Sequence, residues 1–351
     1  MSWVQDLARP DIVALKPYEH ASWEPSLERL HANELPWRPA DDGSRAGLNR
    51  YPEPQPRALI ERLAELYSVA PAAVLAGRGS DEAIDLLARG FCRAGRDAVL
   101  VCPPTFGMYS VCARIQGAAV LQAPLLTADG FALDERALLE RCTAAVKLVF
   151  LCSPNNPTGN LLDEGAILRL ARRLAGRALV VVDEAYIEFA GRPSLAPQVA
   201  QVPNLAILRT LSKAYGLAGA RCGALIADPE VIALLRKIIP PYAIPLLTLE
   251  AVLDRLTPEA RARSQAGLAV LLAERRRLLS ALPRLQRVTT VFPSAANFLL
   301  AEFDDAGAAL ARAREARLLV RDARSYPGLE RALRITVGTP EQNGRLLEAW
   351  S

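Results

Sequence analysis

The 351-residue sequence has no C-x-x-C pair, no apolar run long enough for a membrane span, and almost no net charge. Its six cysteines (Cys92, Cys102, Cys112, Cys142, Cys152 and Cys222) stand singly. That scatter argues against a metal site and against a disulfide framework. Most of them sit in apolar runs and read as small buried hydrophobes. No uninterrupted apolar stretch reaches the ~18 residues a transmembrane helix requires. The opening residues, Met1 to Leu7, lack the basic-then-apolar order of a secretory signal, so a cytoplasmic location is expected. With 42 Lys and Arg against 38 Asp and Glu, the formal charge is +4. That balance gives no reason to expect a nucleic-acid or membrane partner. There is no internal repeat and no low-complexity tract.

What is present is ordinary globular material, 51% hydrophobic and 23% charged, long enough for one large domain and a smaller one. Residues 1–30, broken by Pro10, Pro17 and Pro25, read as an arm that packs with the smaller domain. Prolines and glycines make 36–56 loop-like. The pattern then alternates. Helices are expected over 57–67, 80–92, 107–116, 134–141 and 163–174. Apolar runs between them predict strands at 98–102, 118–121, 146–151, 178–182 and 205–208. Strands without polar alternation, separated by amphipathic helices, predict an α/β fold with a mostly parallel sheet covered on both faces. This large domain is expected to span 31–245. A smaller α+β domain follows over 246–351, with a long helix at 258–282, a strand at 297–301, a helix at 306–315 and strands at 317–321 and 331–337. That block looks βαβ-like.

Three apolar runs end in polar residues. Val146 to Leu151 leads into Ser153-Pro154-Asn155-Asn156-Pro157-Thr158-Gly159. Ala178 to Val182 ends in Asp183-Glu184-Ala185-Tyr186. Leu205 to Leu208 leads into Thr210-Leu211-Ser212-Lys213 and on to Arg221-Cys222-Gly223. In such sheets ligands bind beyond the carboxyl ends of the strands. An amine, a carboxylate, a tyrosine, an amide and an arginine therefore converge on one expected site. Gly79-Ser80-Asp81-Glu82 opens a helix, whose free amides suit an anion.

These strings, together with Leu48-Asn49-Arg50-Tyr51-Pro52-Glu53, Pro103-Pro104-Thr105-Phe106-Gly107-Met108-Tyr109 and Leu333-Arg334-Ile335-Thr336-Val337, resemble the fold-type I aminotransferases that use pyridoxal 5′-phosphate. More narrowly they are similar to the histidinol-phosphate branch of class II, over nearly the full length. The resemblance implies a seven-stranded sheet and a homodimer with shared active sites. It implies Lys213 as the Schiff-base lysine, moving a proton between substrate and cofactor. Asp183 is implied to pair with the ring nitrogen, with Tyr186 and Asn156 at the ring's 3′-oxygen and Tyr109 stacked on its face. Ser80, Asp81, Ser212 and Arg221 are implied at the phosphate, with Asp81 acting as a capping residue. Tyr51 is implied to reach the neighbouring subunit's phosphate site. Arg334, Arg321, Tyr18 and Asn297 are the implied substrate-binding residues. The activity implied is transamination of L-histidinol phosphate with 2-oxoglutarate in histidine biosynthesis. The same fold also hosts threonine-phosphate decarboxylation and aromatic amino acid transamination. A cofactor-sensing transcription regulator is a further class, but residues 1–30 offer no DNA-binding helix pair.

Overall fold

A computed structural model describes residues 2–24 and 26–351; Met1 and the expected arm-breaking Pro25 lie outside the described residues. Two short helices come first, α1 (Trp3–Leu7) and α2 (Pro10–Ala14). The described residues between α2 and residue 57 form no helix or strand, and then come α3 (Arg57–Tyr67), β1 (Val74–Gly77), α4 (Ser80–Phe91), β2 (Ala98–Val101), α5 (Met108–Ile115) and β3 (Ala119–Gln122). Next are α6 (Glu135–Arg141), β4 (Val146–Cys152), α7 (Glu164–Arg173), β5 (Leu179–Asp183), β6 (Leu205–Thr210), β7 (Gly223–Ile226), α8 (Pro229–Arg236) and α9 (Leu246–Arg255). The chain closes with α10 (Pro258–Ala281), β8 (Val288–Val291), β9 (Phe298–Phe303), α11 (Ala306–Glu315), β10 (Arg321–Asp322), β11 (Ala332–Thr336) and α12 (Pro340–Trp350).

Strands β1 to β7 form one sheet in the order β1-β7-β6-β5-β4-β2-β3. β3, β2, β4, β5 and β6 run parallel, and β7 is antiparallel to both of its neighbours. Successive side chains on a strand point to opposite faces, and here both faces are covered. Val180 and Val182 enter one apolar cluster with Ile167 and Leu170 of α7, whereas Leu179 and Val181 enter another with Ile84 and Leu87 of α4. This double burial is why β4 and β5 read as unbroken apolar runs. Burying each such Val or Leu contributes roughly 1.5–3 kcal/mol. The helices begin with local signals. Asp163 accepts the Ala166 N–H at 2.7 Å to cap α7. Thr257 accepts the Ala260 N–H at 3.3 Å to cap α10, with Pro258 at the first position.

A second sheet has the order β10-β11-β9-β8, and every pairing in it is antiparallel. β9 and β10 are each antiparallel to β11 and so share a direction, which leaves β9-α11-β10 as the βαβ-like unit expected for this block, with β11 inserted between its two strands. After α11 the chain forms a short hairpin, β10 with β11, and that reversal sets β11 antiparallel to β9. The expected strand at 317–321 shrinks to Arg321–Asp322, because residues 317–320 make no ladder. One face of this sheet packs under α10, α11 and α12 with Leu299, Phe303, Leu333 and Trp350. From the other face, Leu300 and Ala332 join the core of the larger sheet.

The arm also differs from expectation. Val4, Leu7 and Ala8 bury against the α4 side of the large sheet, Arg9 N–H donates to the Gly90 carbonyl at 3.0 Å, and the Lys237 amine donates to the Val13 carbonyl at 2.7 Å. The short apolar stripe of α1 docks onto α4 rather than onto the smaller sheet. Among the described residues no helix is long and apolar enough to cross a membrane.

Candidate active site

The carboxyl ends of β4, β5 and β6 open into one cleft, lined by Asn156, Asp183, Tyr186, Ser212, Lys213 and Arg221 together with Ser80 and Asp81 from the start of α4. Asp183 ends β5 at 3% exposure, and burial pushes its carboxyl up to about 6. One of its oxygens accepts the Tyr109 hydroxyl at 2.8 Å and the other accepts the Ala185 N–H at 3.0 Å. Lys213 is open to the solvent of the cleft, not sealed from it as its apolar sequence surroundings suggest. Protein atoms still crowd the amine. Desolvation, then the positive charge of Arg334, lower its pKa below the ordinary lysine value. Its amine lies 5.7 Å from the centre of the Tyr186 ring. Tyr186 is buried, which raises its hydroxyl pKa, and the Asn156 amide donates to that hydroxyl at 3.5 Å.

At the far end of the cleft Arg221 donates to Ser212 Oγ at 3.3 Å and meets Asp81 Oδ2 at 3.3 Å. The capping role expected for Asp81 is corrected. Gly79, at φ 86°, is the N-cap of α4, with no side-chain capping bond, and Asp81 pairs with Arg221 instead. Two glycines make this corner possible. A Cβ on Gly79 would lie 2.8 Å from the Arg221 guanidinium, and one on Gly223 would lie 2.8 Å from the Ser80 backbone nitrogen and 2.8 Å from the Arg209 carbonyl. The backbone of β7 thus presses directly on the turn that exposes the α4 amides.

Arg334 crosses from β11 of the smaller sheet and donates to the Asn156 side-chain oxygen. Its Nε is buried without a partner, and its guanidinium lies over the Phe298 ring at 5.2 Å.

Tyr109 is differently employed from expectation. It is fully covered, its ring stacks on Phe150 at 4.8 Å and 4°, and no face is left for a ligand. The aromatic that lines the cleft is Phe106, set edge-on to Tyr109 at 5.6 Å. The reason is local: Tyr109 lies in the first turn of α5 and faces the sheet, whereas Phe106 sits in the loop at the β2 carboxyl end. The preference for loop residues at strand ends was the signal that could have singled out Phe106. Cys152, Thr210 and Ala218 also line the cleft and were not anticipated.

Besides Tyr109, four expected residues are not brought into this cleft. Tyr18 is 73% exposed and lines a separate hollow with Trp23 and Pro241. Tyr51 stacks on Tyr242 at 4.5 Å. Asn297 is half-buried, and its carbonyl accepts the Val337 N–H at 3.0 Å. Arg321 is exposed and sits directly opposite Arg334 in the β10–β11 register, which places it on the same sheet face.

Asp183, Lys213 and the Ser212–Arg221 pair give one cleft an anion, an amine and an anion cradle. Together they suit a ligand that carries a positive centre, a carbonyl and an oxyanion. Residues 29–349 match the family model described as aminotransferase class I and II. The chain belongs to the class I and II aminotransferases. Among members of this family, the histidinol-phosphate aminotransferase of Stenotrophomonas maltophilia is 50% identical over 350 residues, 98% of this chain and 96% of that protein. The counterpart from Xanthomonas campestris is 49% identical over 352 residues, 99% and 96% of the two chains. The solved histidinol-phosphate aminotransferase of Sinorhizobium meliloti, in complex with pyridoxal-5′-phosphate, superposes with a TM-score of 0.77 at 25% identity, covering 86% of this chain and 82% of that one. This aminotransferase therefore shares both its sequence and its two-sheet architecture with enzymes that bear that name.

Proposed function

We propose that this aminotransferase binds pyridoxal phosphate and moves the amino group of L-histidinol phosphate to 2-oxoglutarate, giving imidazole acetol phosphate and L-glutamate. The observation that carries this is the single cleft that Asp183, Lys213 and Arg221 share, in a chain half identical to curated histidinol-phosphate aminotransferases over almost its whole length. The residues fit the cofactor at both ends. Asp183 is a buried carboxylate with no cation in contact, as a protonated ring nitrogen requires, and the Ser80 turn with Ser212 and Arg221 is an oxyanion cradle. When bound, the cofactor supplies an aldehyde that takes up the amino group and a ring that withdraws electrons from the substrate Cα. Lys213, its pKa lowered first by desolvation, is the amine placed to attach the cofactor, and then to take the Cα proton and return it one bond away. Asn156 and Tyr186 would hold the ring oxygen, and Phe106 would cover the ring face. The unpartnered Nε of Arg334 calls for an anion. It would take the substrate phosphate in one half-reaction and the glutamate carboxylate in the other, with Arg321 as a second cation at the mouth.

We further read 31–245 and 246–351 as two domains flanking the cleft, Tyr18 and Asn297 as substrate-binding residues, and the chain as a homodimer in which Tyr51 serves the partner's site. The decisive assay supplies histidinol phosphate with 2-oxoglutarate and follows glutamate. Turnover well above that with phenylalanine as donor, and no CO2 release from threonine phosphate, is the expected result. Dominant decarboxylation or a preference for phenylalanine would replace the substrate assignment.

A further inference from the structure

Tyr109 lies outside the cleft, yet it makes the shortest side-chain contact to Asp183. Its hydroxyl donates at 2.8 Å to one carboxylate oxygen, and the Ala185 N–H holds the other at 3.0 Å. The phenol cannot swing away, because its ring is parallel to Phe150 at 4.8 Å, meets Phe106 edge-on, and is fully buried. Other ionisable groups around Asp183 are Cys152, whose thiol burial keeps neutral, Asp81 and Lys213. Of these, only the tyrosine donates a hydrogen bond to the carboxylate. A hydrogen bond to the charged form of a carboxylate stabilises that form and lowers its affinity for a proton.

We infer that Tyr109 is a positioning residue that acts through Asp183: its hydroxyl fixes the carboxylate's orientation and weakens the carboxylate's claim on the proton of the cofactor's ring nitrogen. This rests on the reading that Asp183 faces that nitrogen. The proton then resides on the ring, where it serves electron withdrawal, rather than on the carboxylate. Phe106, touching both the cleft and Tyr109, couples ring packing to the same hydrogen bond.

The test uses holoenzyme loaded with cofactor carrying nitrogen-15 in its ring. In Tyr109→Phe the ring resonance should move toward the neutral-pyridine position. kcat should fall about tenfold, the scale of a lost hydrogen bond to a charged group, with KM for histidinol phosphate changing less than about threefold. Replacing Tyr109 with 3-fluorotyrosine, a stronger donor of nearly the same shape, should move the resonance the opposite way. That arm decides alone if the Phe variant does not fold. If both replacements leave the resonance at its wild-type position while Asp183→Asn moves it, the Tyr109 inference is overturned and the Asp183 reading stands. If Asp183→Asn also leaves it unmoved, the Asp183 reading has failed and the inference fails with it.

Discussion

Burial pushes the Asp183 carboxyl up to about 6, against 3.8 for an ordinary aspartate. The folded chain therefore binds this proton more tightly than the unfolded chain does. Stability that neutral Asp183 contributes in acid is lost as pH rises from about 4 to about 6, and it stays lost above that. In the cofactor-free protein, Asp183→Asn should accordingly raise the unfolding temperature at pH 8, by an amount worth at most about 3 kcal/mol, with the advantage vanishing below pH 4. Calorimetry at the two pH values checks this; a gain that does not depend on pH would contradict it. The same variant should hold the cofactor more weakly, since the charge removed is the one a ring cation needs. At this scale the sequence was partly readable. Lys213, Asp183 and Asn156 were legible because each stands at or just beyond the carboxyl end of an apolar run, whereas Arg221, just before β7, was reached through the family resemblance. The roles of Tyr109 and Phe106 were not. Two aromatics three residues apart differ only in which lies inside the helix, and helix ends are poorly fixed by sequence.

The elements that carry these residues are locked by backbone contact. Gly223 opens β7 against the Ser80 turn, where a methyl group would meet immovable main-chain atoms at 2.8 Å. Gly223→Ala should destabilise the fold by about 1–3 kcal/mol and loosen cofactor retention. Thermal unfolding together with cofactor release on gel filtration measures both, and an unchanged variant would mean the corner is softer than its geometry states. Beneath it, Arg209 of β6 pairs with Glu188 at 2.5 Å and with Glu184 at 3.6 Å, tying the segment after β5 to the strand that leads to Lys213. The central strands were legible as long apolar runs because both faces are buried. β1 and β7 escaped notice, being four residues each, and the insertion of β11 between β9 and β10 depends on a hairpin that the apolar pattern does not encode.

Across the whole molecule, Arg334 of the smaller sheet reaches Asn156, which lines the cleft beyond the carboxyl end of β4 in the larger sheet. On the proposed reading, truncating this bridge removes a substrate-binding cation as well as the tie to Asn156. Arg334→Met should raise KM for both histidinol phosphate and glutamate by at least about tenfold, since hydrogen bonds to charged groups are worth about 1.5–3 kcal/mol. Steady-state kinetics with each substrate varied tests this; a change for only one substrate would assign Arg334 to a single half-reaction. The α/β architecture and the order of the parts were visible in the chain. The place of the arm was not, because a stripe as short as Val4, Leu7 and Ala8 does not specify which helix it will cover.

The chain contains four lysines, Lys16, Lys147, Lys213 and Lys237. Borohydride treatment of the holoenzyme fixes the cofactor to whichever amine holds it, and peptide mass spectrometry locates the added mass. The account predicts it on the peptide bearing Lys213, and absent when histidinol phosphate is added first without 2-oxoglutarate. Label on Lys16, Lys147 or Lys237, or label on Lys213 that histidinol phosphate does not displace, would contradict it.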